Sequence, residues 1–540
     1  MKNPRLERPL LALLAGWAVF SVASIWLRPL WPVDETRYAS VAWEMWLRGD
    51  FLVPYINGEP YSHKPPLLFW LIHLGWGLFG VNDWWPRLIG PLCALAAVPL
   101  LLRLGRLLWP QPSPASEAAQ ALSVWVLFGT LLFAALVTLT MFDLLLMLCV
   151  MAGMIGVLTL ASGERRAGLF WLGAGIGLGV LTKGPVVLLH VLPAALAAPW
   201  WAPQLKGKLA RWHLDLFFGV LLGAAFALAW ALPAAYFGGE EYRRAIFWGQ
   251  TAGRVSESFA HRAPWWYYLP LLPLILFPWF VWPRFWRGFF SGGWRDNGIR
   301  FLLAWLLFTL AGFSLVSGKQ AKYLVPFLPA FALLAGYALS RVKAPARWWE
   351  LLPPALGFLA LPAFLAYIRT RPAAMKLPEW WVANIPLWPI AALALAAPLL
   401  VFLCRKETEI QVRALAFAVL AAFCVAGAGL IPAFVPYGDP GPAARHLAAL
   451  QDAKVPLAHL GKYHAQYNFV GRLRTRIEIL DPKEVKDWVM AHPAGQVITI
   501  EPKRHDGKDG AGPQYQAPFR GAWVQVWRGA ALLVARPELR

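Results

Sequence analysis

Residues Pro32 to Trp70 read PVDETRYASVAWEMWLRGDFLVPYINGEPYSHKPPLLFW, and six of the first nineteen side chains are acidic or basic. Asp34, Glu35, Arg37, Glu44, Arg48 and Asp50, then Glu59, His63 and Lys64, stand between the first two apolar segments of a chain whose charge is otherwise sparse. Of 540 residues, 59% are hydrophobic and 15% charged, with 32 Trp, more apolar surface than a water-soluble core absorbs. The chain reads as a polytopic α-helical membrane protein, and the quoted stretch as a hydrophilic loop at one face of the bilayer.

Working outward, apolar runs of spanning length lie near 9–27, 86–105, 120–139, 142–161, 168–182, 184–201, 214–237, 266–283, 300–316, 323–340, 351–368, 385–403 and 413–431. This predicts about thirteen transmembrane helices. The pair 168–182 and 184–201 is short in both halves and divided by Lys183-Gly184-Pro185. The run from Pro65 to Gly80 is too short to span and reads as an interfacial or re-entrant segment of the first loop. Loops on one side carry twenty Lys and Arg, from Lys2, Arg5 and Arg8 to Arg405, Lys406 and Arg413. The positive-inside rule puts that side and the N-terminus in the cytoplasm and the quoted loop outside. The basic start and Ser21-Val22-Ala23 also resemble a signal peptide, but an uncleaved anchor keeps the charged loop tethered.

The expected organisation is a membrane domain over 1–431 and a small α/β domain over 432–540 on the outer side. In the latter, Val455–Leu460, Val497–Ile500, Ala522–Val526 and Ala531–Ala535 read as strands, Pro482–Ala491 as a helix and Glu501–Gln516 as a loop. Cys93, Cys149, Cys404 and Cys424 lie in apolar runs without metal or disulfide spacing. No basic run suits nucleic acid, and no phosphate-loop motif suits a nucleotide. Gly173, Gly175, Gly177 and Gly179 alternate in GAGIGLGV, a pattern that lets membrane helices pack closely.

Chemistry is expected at the outer face. Asp34 and Glu35 follow the first span and point apart on a helix, so one faces the site and the other braces or binds; a plain N-cap by Asp34 is the alternative. Asp143, in LTMFDLLLML, returns to the same face, where two carboxylates activate an acceptor or bind a cation. Arg37, Lys64, Lys183, Lys319 and Lys322 reach that face too. Snorkelling explains any one of them, whereas five converging suit a phosphate-bearing headgroup.

DETRYA, Lys64 in KPPL, Asp143, LTKGP and the Lys319-x-x-x-Tyr323-Leu-x-Pro run together resemble the ArnT-like, aminoarabinose-transferase branch of the GT-C, protein-mannosyltransferase-like glycosyltransferases. The resemblance implies an inverting enzyme with a GT-C fold in the bacterial inner membrane. It would take a sugar from an undecaprenyl-phosphate carrier at the periplasmic face and pass it to a lipid or glycolipid acceptor. For the best-known members the sugar is 4-amino-4-deoxy-L-arabinose and the acceptor lipid A. It further implies that Asp34 orients or activates the acceptor with Asp143 and Glu35 in support, and that Arg37, Lys64, Lys183, Lys319, Lys322 and Tyr323 hold the carrier phosphate. A monomer is expected. Where the aminoarabinose transferases have Glu before the KPP lysine, this chain has His63. His63 and His261 would share a divalent metal such as zinc, or else sit at the interface bonded to backbone or lipid. A transporter or lipid flippase is the alternative function; it predicts ionisable groups near the bilayer midplane, whereas here they sit at span ends.

Overall fold

The computed structural model describes residues 4–249, 262–372, 382, 384–507 and 512–539. Among them, eight helices are long and apolar enough to cross a bilayer: Pro9–Trp26, Trp84–Leu108, Phe142–Ala161, Leu209–Phe237, Asn297–Leu315, Ala321–Ser340, Leu352–Thr370 and Thr408–Gly429. The first lies within α1 (Pro4–Trp26). The quoted loop follows as α2 (Asp34–Arg48), a hairpin of β1 (Tyr55–Ile56) and β2 (Glu59–Pro60), and α3 (Leu67–Phe79). Asn57-Gly58, both at positive φ, make the tight hairpin turn. Next come α4 (Trp84–Leu108), α5 (Pro114–Phe128), α6 (Leu131–Val137), α7 (Phe142–Ala161) and α8 (Arg165–Lys183).

Five of the thirteen expected spans are not among these eight helices: 168–182 lies in α8, 184–201 and 385–403 hold the shorter apolar helices Val186–Leu196 and Leu387–Phe402, and two more are bent or broken. The run 120–139 is the bent pair α5 and α6, turned by 59° at Gly129-Thr130. The run 266–283 is no continuous helix: Pro270, Pro273 and Pro278 each remove a backbone donor, leaving a turn at Leu269–Leu271 and one short helix at Leu272–Ile275. The glycine series behaves as its spacing predicts. A Cβ on Gly175 would collide with the Gly153 backbone, and one on Gly156 with Leu172, so α7 and α8 touch main chain to main chain. Almost the whole of α7 is buried, as suits a helix apolar all round.

The C-terminal segment forms a five-stranded sheet in the order β4-β3-β5-β7-β6, from β3 (Leu457–Leu460), β4 (Glu478–Leu480), β5 (Gln496–Glu501), β6 (Tyr515–Phe519) and β7 (Ala522–Arg528). β3 lies parallel to β4 and β5, and the β5-β7-β6 edge is antiparallel. Ala531–Ala535, expected as a strand, falls in the helix Gly529–Ala535. Its Ala- and Leu-rich run favours helix, and only Gly529 and Leu532 are buried, one face rather than alternate positions. β6 begins inside the expected loop and pairs with β7 from Tyr515.

What positions α2 is a buried ion pair. Arg28, just past α1, binds both oxygens of Glu35 at 2.5 and 3.0 Å, each side chain no more than 3% exposed. Glu35 also accepts the backbone N–H of Trp31 and of Thr140, while Arg28 donates to the Thr138 carbonyl. Arg87 of α4 closes the knot by donating to the carbonyls of Ile25 and Arg28. From the other side, the sheet domain grips α2, with Ser40 donating to the Ala465 carbonyl and Trp43 to that of Leu473, and it reaches the start of α4 through Arg472, which pairs with Asp83 at 2.5 Å.

Replacing Glu35 with Gln strands a buried guanidinium, so Glu35→Gln is expected to cost about 3–5 kcal/mol of stability. Thermal unfolding of the purified variant checks this; a melting curve matching wild type would show that the pair does not hold α2.

Candidate active site

Asp34 is the first residue of α2 but does not cap it. The capping position is Val33, and the Asp34 carboxylate instead turns to two cations, Lys322 Nζ at 2.8 Å and Arg37 at 2.5 Å. The side chain remains 29% exposed, so the pair is open to a ligand. Burial alone would raise the Asp34 pKa, but Lys322, with Arg37 and Lys64 behind it, outweighs this and holds the carboxyl below the usual aspartate value. Asp34 is therefore a stable carboxylate at neutral pH. Glu35, its neighbour, is the brace described above.

The second carboxylate is deeper. Asp143, in the first turn of α7, pairs with Lys183 at 2.5 Å and is 3% exposed. Lys183 Nζ lies 4.7 Å from the centre of the Tyr323 ring. Two consecutive residues thus serve both pairs: Lys322 binds Asp34, and Tyr323 underlies the cation that binds Asp143. They sit in the turn Ala321–Phe327, where the next span begins.

Lys64 points over the Phe142 ring, 5.8 Å from its centre, and that ring packs edge-on against Tyr38 at 4.9 Å. Arg37, Lys64, Lys183 and Lys322 set against Asp34 and Asp143 leave two net positive charges, the complement of a phosphate. Lys319 does not join them. Its ammonium is buried and donates to the carbonyls of Ala263 at 2.9 Å and Val316 at 2.5 Å, tying the 316–320 turn to the chain beside it.

Three members were not singled out from the sequence. Tyr38 and Tyr61 interact electrostatically with Arg37, and burial with Asp34 nearby pushes the Tyr38 hydroxyl well above the usual tyrosine range, leaving it a hydrogen-bond donor. Tyr38 was legible, as the residue after Arg37 in DETRYA. His464 comes from the sheet domain, beside Ala465, whose carbonyl is bonded to Ser40 on α2. Desolvation, then the positive charges of Arg37, Arg520 and Lys462, lower its pKa, so the ring is neutral near pH 7. No local motif marks His464; it is brought to Arg37 by tertiary packing alone.

The His63 ring stacks on Tyr61 at 5.3 Å, and His261 lies outside the described residues. Among the described residues, no three His, Cys, Asp or Glu side chains gather as a metal-binding set.

Residues 63–237 match the family described as dolichyl-phosphate-mannose-protein mannosyltransferase. A Pseudomonas fluorescens protein named undecaprenyl phosphate-alpha-4-amino-4-deoxy-L-arabinose arabinosyl transferase 2 is 32% identical over 417 residues, covering 71% of this chain and 69% of that protein. A Pseudomonas paraeruginosa arabinosyl transferase with the same named donor is 33% identical, over 72% of this chain and 73% of its own. Two crystal structures of ArnT from Cupriavidus metallidurans, apo and bound to undecaprenyl phosphate, share the fold with TM-scores of 0.75 and 0.74. They are 20% identical and cover 96% of this chain and 97% of theirs. A multi-pass chain with this fold and this identity belongs to the undecaprenyl phosphate-aminoarabinose arabinosyl transferase (ArnT) family of GT-C glycosyltransferases.

Proposed function

We propose that the protein transfers 4-amino-4-deoxy-L-arabinose, or a closely related sugar, from undecaprenyl phosphate to lipid A or another envelope glycolipid at the periplasmic face of the inner membrane. The observation that carries the reading is the pair of linked carboxylate–cation clusters at one membrane face. They hold Asp34 and Asp143 among Arg37, Lys183 and Lys322, leave Asp34 partly open, and lie in a chain whose relatives are named for this donor.

In this reading the carrier phosphate sits among Arg37, Lys64, Lys183, Lys322 and Tyr323. As the bond from the sugar's anomeric carbon to the carrier oxygen breaks, the electron pair goes to the phosphate, and these cations stabilise the charge that builds there. An acceptor oxygen attacks the same carbon from the opposite side, inverting it. Asp34 orients or activates that acceptor, with Asp143 supporting through Lys183. Glu35 and Lys319 act at one remove, Glu35 by fixing α2 and Lys319 by holding the turn that carries Lys322 and Tyr323. The chemistry needs no nucleotide, because the carrier bond itself stores the energy. A divalent ion between His63 and His261 would draw the first loop toward the 262–268 segment, and no step here runs through it.

The same reading assigns thirteen crossings: the eight long helices, α5 with α6, α8, the apolar helices within 186–201 and 387–402, and the proline-broken run 266–283. An odd count with a cytoplasmic N-terminus puts α2, the site and the 432–540 domain in the periplasm, in agreement with the twenty basic residues on the opposite side. The protein acts as a monomer.

Two results are expected. Asp34→Asn keeps the side chain's size but removes its charge, so cells carrying it should fold the protein and lack the sugar-modified lipid A that wild type produces, as read by mass spectrometry. Wild-type levels of modification with Asn at 34 would remove Asp34 from the reaction. Arg37→Ala and Lys64→Ala should each weaken undecaprenyl phosphate binding by about 1.5–3 kcal/mol, roughly 10- to 150-fold. Titration of both purified variants with the carrier is the check, and affinities equal to wild type would take these cations out of the donor site.

A further inference from the structure

The span Ala321–Ser340 begins beside the candidate active site and ends, 20 residues later, at a second charged region. A helix of that length rises roughly 30 Å, so the two regions stand on opposite membrane faces. Past Ser340, the segment 342–349 faces residues 405–408 across a cavity of about 830 Å³. Arg284, Lys343, Arg347, Arg405 and Lys406 line it against a single lining carboxylate, Glu407.

Its floor is held by protein contacts, with one carboxylate, Glu350, set between two guanidinium groups. Arg284, 3% exposed, donates to Glu350 at 3.0 Å, to the Thr408 hydroxyl at 2.7 and 2.9 Å and to the Ala344 carbonyl at 3.0 Å. Arg287 also pairs with the fully buried Glu350. Its rim is different: Lys343, Arg347, Arg405 and Lys406 are all exposed. Four cations thus stand around a formed cavity whose buried arginine is already satisfied by the protein.

The surroundings place the cavity at the depth of lipid headgroups. Leu395, Leu399 and Phe402 are 59%, 65% and 81% exposed and recur at helical spacing along the apolar helix Leu387–Phe402. That stripe ends three residues short of Arg405. Trp348, 63% exposed, stands at the same rim, where indoles favour the membrane–water boundary. As part of a membrane crossing that stripe faces acyl chains, so the cations at its end stand where the headgroups of those lipids lie.

We propose that this cavity binds the phosphodiester headgroup of an anionic phospholipid from the leaflet opposite the active site. Lys343, Arg347, Arg405 and Lys406 hold the phosphate, and the acyl chains lie on Leu395, Leu399 and Phe402. The bound headgroup bridges the 342–349 and 405–408 segments and so ties the ends of four spans together. The proposal does not rest on the transfer reaction.

The test uses the full-length protein in a neutral detergent, with native mass spectrometry and thermal unfolding in the presence of phosphatidylglycerol, phosphatidylcholine or inorganic phosphate. Phosphatidylglycerol should be retained at least about tenfold better than phosphatidylcholine and should raise the melting temperature, while inorganic phosphate at equal concentration should not. The triple variant Lys343→Gln, Arg405→Gln, Lys406→Gln should lose that preference, and Lys343→Arg with Lys406→Arg should keep it. Equal retention of the two lipids by wild type would overturn the proposal whether or not the variants fold. So would an equal melting shift from inorganic phosphate, or an undiminished preference in the triple variant.

Discussion

Everything at the active face hangs on the buried pair of Arg28 and Glu35. An ion pair removed from water is tolerated when most of its remaining hydrogen-bonding capacity is met, and here Thr138, Thr140 and Trp31 supply partners from two parts of the chain, while Arg28 Nε has none among the described residues. The pair converts the end of one span into a fixed starting point for α2. Once Glu35 is locked inward, the helical rotation from 35 to 34 turns Asp34 toward Lys322, and Arg37 three residues on lies on the same side. A one-residue slip would put Glu35 in the site and leave Arg28 without a partner.

The two carboxylates then differ through environment rather than chemistry. Asp143 is enclosed with Lys183 in the buried first turn of α7, whereas Asp34 is partly open and holds two cations. The adjacent Lys322 and Tyr323 couple them, so a ligand that draws Lys322 from Asp34 also bears on the ring beneath Lys183. His464 adds a neutral group from the sheet domain at the rim, kept neutral first by burial and then by the positive charges of Arg37, Arg520 and Lys462. The domain that grips α2 through Ser40 and Trp43 is thereby also placed to meet whatever approaches the site.

The sequence was most legible where the bilayer sets the rules. Long apolar runs and close-packing glycines are strong signals because lipid leaves few alternatives. The multi-pass membrane fold followed from them, whereas the GT-C fold came from the resemblance carried by DETRYA, KPPL, LTKGP and the Lys319-x-x-x-Tyr323-Leu-x-Pro run. The break-up of 266–283 was visible in its prolines but masked by its hydropathy. Partner identity was not readable: Lys322 reaches Asp34 across 288 positions, and Lys319, three residues away, turns inward instead, a choice made by the fold of the 316–327 turn. The same holds for Arg28, an ordinary span-end arginine by sequence, and for His464. The helix at 529–535 was misjudged because a five-residue apolar run carries no period long enough to separate strand from helix.

In the proposed reaction this chain alone moves a sugar from a lipid phosphate to an envelope lipid. Purified protein in bilayer discs, given undecaprenyl phosphate-linked 4-amino-4-deoxy-L-arabinose and lipid A without nucleotide, tests it most directly. The prediction is sugar-bearing lipid A and free undecaprenyl phosphate appearing in equal amounts. Carrier left intact, or carrier hydrolysed with no sugar on any lipid acceptor, would contradict it.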